Sequence, residues 1–458
     1  MGGNSDRADG FFGPPPADWQ APKEAPEIKA GLDWLLGFMR PGEWEKRRAA
    51  AADRLYAASG GGVTDPNDPG RFFETRDTLG WYLFLSEAIL QHPWNYEPMF
   101  GSRVLPVMAS IGRNLSLLKQ IYGIDTRIKR LVHDERAQPN GGIFELLVAS
   151  AYARAGGNVG FVPEQKGIAR THDFEARLGE VTWAVECKRM ETSEYGGRER
   201  SRMRRLWGPA SASLELLRRS VIAIVDFKVE IDRVPDDYLL RIVHHFVESR
   251  RESWLWDDRV ASVSIGNLDL KPLQSVLSTE KVLTAGTRMQ ELLTGHYQRD
   301  ANMITALQVR CDSSPRYADA CSLAVVLRWS CLAEESVSAK ARDILNKLAD
   351  ATGQLPDNKP SVVHIGIEAV DGETVERARL EKVLSTMAGF DPRGKPLEYV
   401  ACHHLVPESP PGELYAFEET YHWTGIRPTR APPITNLTLV TPPGVPLTPG
   451  FFWQSRGG

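Results

Sequence analysis

Two alternating runs of side chains, Thr171 to Leu178 and Val181 to Lys188, flank the dipeptide Gly179-Glu180. Period-two alternation describes a half-buried strand. A glycine at the first central position of a two-residue loop supplies the positive φ that a tight hairpin turn needs. Such a turn fixes the register. Leu178 then faces Val181, Asp173 faces Glu186 and Thr171 faces Lys188.

Side chains alternate along a strand, and facing residues point the same way. Asp173, Glu186 and Lys188 therefore share one face. The other face, Phe174, Ala176, Leu178, Val181, Trp183, Val185 and Cys187, is apolar and belongs in a core. Two carboxylates within about 5 Å at Cβ repel, and the repulsion raises a carboxyl pKa unless a cation lies between them. Hard oxygen ligands suit Mg²⁺ or Mn²⁺. A metal held there lowers the pKa of a bound water and stabilises charge on a phosphate oxygen. Lys188 is placed to orient that water or to meet the developing charge. Phosphodiester hydrolysis is the reaction that needs this set.

The rest of the chain sets bounds. Its 458 residues imply two or three domains. A net charge of −4 gives no global basic field, so any nucleic-acid binding must be local. The five cysteines, Cys187, Cys311, Cys321, Cys331 and Cys402, are odd in number and form no CxxC pair. That argues against a disulfide framework and a zinc ribbon, and buried thiols are expected. No signal peptide is visible, and the richest apolar run, Trp81 to Leu85, is far short of a membrane span. A cytoplasmic protein without membrane contact is expected. No GxxxxGK[ST] motif is present, so no P-loop is expected.

Composition and periodicity divide the chain. Residues 1–27, with Pro14-Pro15-Pro16, read as a disordered leader. Residues 28–138 read as a helical N-terminal region, with Leu32, Leu35, Leu36 and Met39 at helical spacing and a breaker at Thr64 to Gly70. In residues 139–250 Asn140 is placed to cap a helix ending at Gly156-Gly157, with Ile143, Phe144, Leu147, Val148 and Ala151 on its buried face. A short strand (Val159 to Val162), the hairpin, a helix (199–219) and a buried strand (Ser220 to Val225) follow. Residues 251–428 read as a mixed α/β region, with strands at 301–310, 321–329, 361–370 and 399–406 and helices at 340–352 and 374–387. Residues 429–458 read as a Pro-rich tail that wraps the surface or stays loose. The expected fold class is α/β multidomain.

Asp173 followed by Glu186-Cys187-Lys188 resembles the D…(D/E)xK signature of the PD-(D/E)xK, or restriction-endonuclease-like, nuclease superfamily. The αβββαβ order of residues 139–250 resembles that fold's core. His172 stands where the name-giving proline often sits. The resemblance implies Mg²⁺-dependent endonucleolytic cleavage of DNA, usually leaving 5′-phosphates. It implies metal ligands at Asp173, Glu186 and the Cys187 backbone carbonyl. It implies a further acid from the first helix, where Glu145 stands. It covers about a quarter of the chain and assigns no subfamily. Restriction, phage defence, repair and mobile-element biology all fit.

Several residues support this reading and each has a plainer one. Glu145 near a helix start also suits the macrodipole alone. Gln165 and Lys166 precede the hairpin and are placed to reach substrate, or are surface loop. Arg198, Arg200, Arg202, Arg204 and Arg205 form a basic run for phosphate contact, or a solvated face; Arg198, Arg202 and Arg205 share a helical face. Asp226-Phe227-Lys228 reads as a strand end. His244-His245 and His403-His404 point apart in pairs and read as surface or core. Trp254 and Trp256 read as packing. The flanking regions are left to set target choice, homodimer or higher assembly, or control by a partner protein or activator. Two rivals remain: a catalytically retired nuclease fold that binds nucleic acid or acts as a scaffold, and an RNA-directed nuclease.

Overall fold

The computed structural model describes residues 19–59, 73–163, 171–190, 193–299, 302–312, 314, 316–445 and 451. Lys166 and Gln165, the Thr64–Gly70 breaker and Pro14-Pro15-Pro16 lie outside them.

The N-terminal helices are α1 (Ala25–Leu36), α2 (Glu43–Ser59), α3 (Thr78–Gln91), α4 (Pro98–Arg113), α5 (Leu115–Leu118) and α6 (Ile124–His133). α1 starts inside the stretch read as leader, because Ile28 is fully buried. Asp77 caps α3 by accepting the Gly80 N–H at 2.9 Å. α1 and α4 cross where both carry glycine. A methyl on Gly112 would overlap the Glu27 carbonyl, and one on Gly31 would lie 2.7 Å from the Met108 carbonyl oxygen.

Next come α7 (Asn140–Arg154), β1 (Asn158–Phe161), β2 (Phe174–Leu178) and β3 (Val181–Met190). Asn140 is the first residue of α7 rather than its cap; its Oδ1 accepts the Tyr82 hydroxyl at 2.9 Å. Then follow α8 (Glu194–Leu216), β4 (Val221–Phe227), α9 (Tyr238–Ser249), β5 (Ser253–Asp257), β6 (Ala261–Asn267), α10 (Lys271–Leu277), β7 (Val282–Leu283) and α11 (Thr287–Thr294). The remainder is β8 (Asn302–Arg310), β9 (Tyr317–Ala318), β10 (Ala320–Cys331), α12 (Glu334–Lys340), α13 (Leu345–Gln354), β11 (Ser361–Glu368), α14 (Glu373–Gly389), β12 (Leu397–Glu408) and β13 (Ala416–Gly425).

The strands form two main sheets and a short β7–β9 pair. The first has the order β1-β2-β3-β11-β12-β13, parallel from β3 through β12 and antiparallel at its margins. The second has the order β5-β6-β4-β10-β8, with only β4 and β10 parallel. The architecture is mixed α/β. α7 and the N-terminal helices pack on one face of the first sheet, where Phe144, Leu147, Val185 and Cys187 share a core. α13 and α14 cover the opposite face through Leu348, Ala351, Val383 and Met387 against Met190, Val363 and Ile365.

β4 does not complete the hairpin's sheet, as the order of residues 139–250 had suggested. The apolar stripe of α8, Met203, Leu206, Trp207, Ala210 and Leu214, packs with Val221, Ala223 and Val225 in the core of the second sheet. The parallel neighbour of β3 is β11, with Ala184 beside Ser361 and Lys188 beside Ile365. In chain order the first sheet and its helices run α7, β1, β2 and β3, and then, after α8 to α12 and the strands of the second sheet, α13 and β11.

The Pro-rich tail also departs from expectation. Ile434, Leu437, Leu439 and Val440 are buried in the main core. A non-repetitive backbone enters a core only if its polar groups find partners. Here the Glu419 carboxylate accepts the N–H groups of Leu439, Val440 and Thr441 at 2.6, 3.0 and 3.0 Å. The Ser110 hydroxyl donates to the Leu439 carbonyl at 2.5 Å.

Candidate functional site

The hairpin has the register its turn dictates: Leu178 pairs with Val181 and Phe174 with Val185. Gly179 has φ 60°, which a side chain rarely adopts. Regular pairing stops at Phe174, and Asp173 carries the register one residue further. Its N–H donates to the Val185 carbonyl at 3.2 Å and its carbonyl accepts the Val162 N–H at 3.0 Å. Its Oδ2 accepts the Cys187 N–H at 2.7 Å. The carboxylate is thus locked beside Glu186 and Lys188 by backbone on both sides.

The polar face is not an open surface. α13 covers it, and Glu186 is only 1% exposed. Glu186 Oε1 meets Lys188 Nζ at 2.6 Å as an ion pair, while Oε2 has no hydrogen-bond partner among the described residues. Lys188 Nζ also lies 3.3 Å from Oδ2 of Asp350, whose side chain is 46% exposed. Asp350 sits on α13 and marks the way out to solvent. Glu145, on α7, lies 2.5 Å from Arg127 Nε, and Arg127 Nη1 also donates to Glu135 at 2.9 Å.

The electrostatics follow from burial and crowding. Burial, then the charges of Glu145 and Glu186, push the Asp173 carboxyl well above its ordinary range, against the pull of the Cys187 N–H and Lys188. Burial pushes Glu186 up to about 7, with Glu145 and Asp350 adding to it and Lys188 opposing. Burial raises Glu145 despite Arg127. Burial would lower Lys188, but Glu186, Asp173 and Asp350 outweigh it and hold the ammonium above its usual value. The acidic groups here outnumber the cations, and burial favours their protonated forms in the absence of a further cation.

The donor set is of hard oxygens, with an orphaned buried Glu186 Oε2, and suits a small divalent cation. As placed, Glu186 faces Lys188 and Glu145 faces Arg127. Among the described residues no three His, Cys, Asp or Glu side chains converge as a ready metal cage.

The arginine run lies on α8 and divides. Arg200 and Arg204, one turn apart, line a cleft of about 480 Å³ together with Arg103 and Arg299. Arg202 turns away to pair with Asp236 and to donate to the Val234 carbonyl at 2.8 Å. Arg198 stacks over the Tyr195 ring at 5.6 Å, and Arg205 is exposed. The triplet sharing a helical face in sequence is therefore not the set that faces the cleft. Asp226 accepts the Ser330 hydroxyl at 2.5 Å at the end of β4. His403 and His404 are buried. His403 Nε2 lies 3.0 Å from His364 Nδ1, and His364 Nε2 lies 3.0 Å from the Tyr152 hydroxyl. Trp254 and Trp256 pack edge-to-face, 5.5 Å apart. All five cysteines are free.

Asp350 and Arg127 were not visible in the sequence as members of the site. They come from α13 and α6, far from the hairpin, and no local spacing marks them.

Comparison with protein-family models, with curated proteins and with solved structures gives no match in any of the three. Among the described residues no helix is long and apolar enough to cross a membrane.

Proposed function

We propose that the protein is a metal-dependent nuclease that hydrolyses phosphodiester bonds in DNA at the Asp173–Glu186–Lys188 site. The observation that carries this reading is the Asp173 carboxylate, locked to the Cys187 N–H beside the buried Glu186, the half-buried Glu145 and one lysine. Mg²⁺ or Mn²⁺ bound there would act as a Lewis acid and lower the pKa of a bound water. Asp173 and Glu186 would hold it, with the Cys187 carbonyl and Glu145 as further ligands of the restriction-endonuclease-like pattern. Lys188 keeps its ammonium charged and is positioned by Glu186 and Asp350 at the mouth of the pocket, where it meets charge developing on a phosphate oxygen. Arg200 and Arg204, in their cleft, are the candidates for contacts to the phosphate backbone. The order α7, β1, β2, β3, α13, β11 supports the restriction-endonuclease-like reading of the first sheet. Restriction or phage defence is the biological setting this activity suits.

The test uses purified protein with plasmid DNA and single-stranded RNA, in Mg²⁺, Mn²⁺ or EDTA. Cleavage of DNA in either metal and none in EDTA is expected. Asp173→Ala and Lys188→Ala should each lower the rate by about 10²–10³-fold or more. Cleavage persisting in both variants overturns the site. Cleavage of RNA alone makes the substrate RNA, and no cleavage of either favours a binding module.

A further inference from the structure

Lys188 and Arg189 are consecutive on β3 and so project to opposite faces of the sheet. Lys188 belongs to the carboxylate pocket. Arg189 faces a separate cavity of about 520 Å³ between the N-terminal helices and the first sheet. That volume lies within the range of small-molecule sites. Tyr82 from α3, Phe100 from α4 and Phe144 from α7 give the cavity aromatic walls. Its charged lining is Arg103, Arg189 and Glu368.

Among the described residues the charges do not balance. Arg103 Nε lies 3.5 Å from Glu368 Oε1, and its guanidinium packs over the Phe100 ring at 5.7 Å. That pair accounts for one cation and the one anion. Arg189 remains, and its Nη1 is buried with no hydrogen-bond partner among the described residues. A buried guanidinium N–H left unpaired is costly and calls for an acceptor. The deficit is one negative charge, in a chamber otherwise suited to a flat apolar body.

We propose that this cavity binds a small monoanion with an aromatic body, its carboxylate or phosphate oxygen accepting from Arg189. Charge-assisted hydrogen bonds from guanidinium to an oxyanion are among the strong ones, and the aromatic walls supply the contact area. The site uses the other face of β3 and none of Asp173, Glu186 and Glu145, although Phe100 and Arg103 also line the neighbouring cleft of Arg200 and Arg204; its anchor, Arg189, does not line that cleft.

Calorimetric titration of the full chain with 1-naphthoate, beside its neutral counterpart 1-naphthalenemethanol, tests this. One naphthoate per chain is expected, bound at least about tenfold more tightly than the alcohol. Arg189→Gln should abolish that preference, Arg189→Lys should retain part of it, and Lys119→Gln, the same charge change on an exposed residue, should leave it intact. Equal affinity of the wild-type protein for the two probes overturns the proposal without reliance on any variant. So does absence of saturable naphthoate binding at millimolar concentration, or unchanged preference in folded Arg189→Gln.

Discussion

At Asp173 the backbone continues the hairpin ladder while the side chain takes the N–H of Cys187, so the carboxylate is fixed before any cation reaches it. The same fixing forces it against Glu145 and Glu186. A carboxyl whose proton affinity is raised by folding stabilises the fold fully below its unfolded pKa, and that contribution is lost as pH rises through the folded value. For Glu186 the window runs from its ordinary 4.5 to about 7, and for Asp173 it begins near 3.8 and extends well upward. Metal-free protein should thus be strained at neutral pH. Asp173→Asn keeps the acceptor for Cys187 and removes one charge. In EDTA it should raise Tm by about a few degrees at pH 8 and by less at pH 4.5. Added Mg²⁺ should raise the wild-type Tm and leave the variant's nearly unmoved. A gain independent of pH would show that charge crowding is not its source. Asp173, Glu186 and Lys188 could be placed from sequence because one turn sets their register. Asp350 and Arg127 could not, since their proximity depends on how distant helices dock.

Among elements, the hairpin's register was legible but its extent was not, since β2 begins at Phe174 and the expected pairing of Thr171 with Lys188 does not form in the ladder; the destination of β4 was not legible either. Val221, Ala223, Val225 and Phe227 alternate as buried positions whichever sheet they join. The choice is made by α8, whose stripe fits the second core. α8 also shows the limit of helical-wheel reasoning about charge. Arg198, Arg202 and Arg205 cluster on one side, but Arg202 is held by Asp236, and Arg200 and Arg204 face the cleft. The α1–α4 crossing is a sharper case, because the two glycines set how closely the helices approach. Gly112→Ala should push α1 off α4 and lower stability by about 1–3 kcal/mol in denaturant titration. An unchanged midpoint would mean that the crossing yields freely.

In the whole molecule, the N-terminal helices, α7, one face of the first sheet and the tail share one core. The tail's role was hidden in sequence by its prolines, which announce irregular backbone but not where it lies. Leu439 is fully buried there. Leu439→Ala should cost about 2–5 kcal/mol, as for other buried leucines; a cost below about 0.5 kcal/mol would place the tail outside the cooperative unit. The insertion between β3 and β11 bears on biosynthesis. When the ribosome has delivered the hairpin, β3 still presents a bare edge of unpaired N–H and C=O groups, because β11 is made only after the entire second sheet. Until α13 and then that strand emerge, Glu186 and Lys188 are uncovered and the nascent chain carries an open template for wrong pairing. Closure of β11 onto β3 is then the step that ends this exposure and completes the candidate site, which can form only after the whole second sheet has been made.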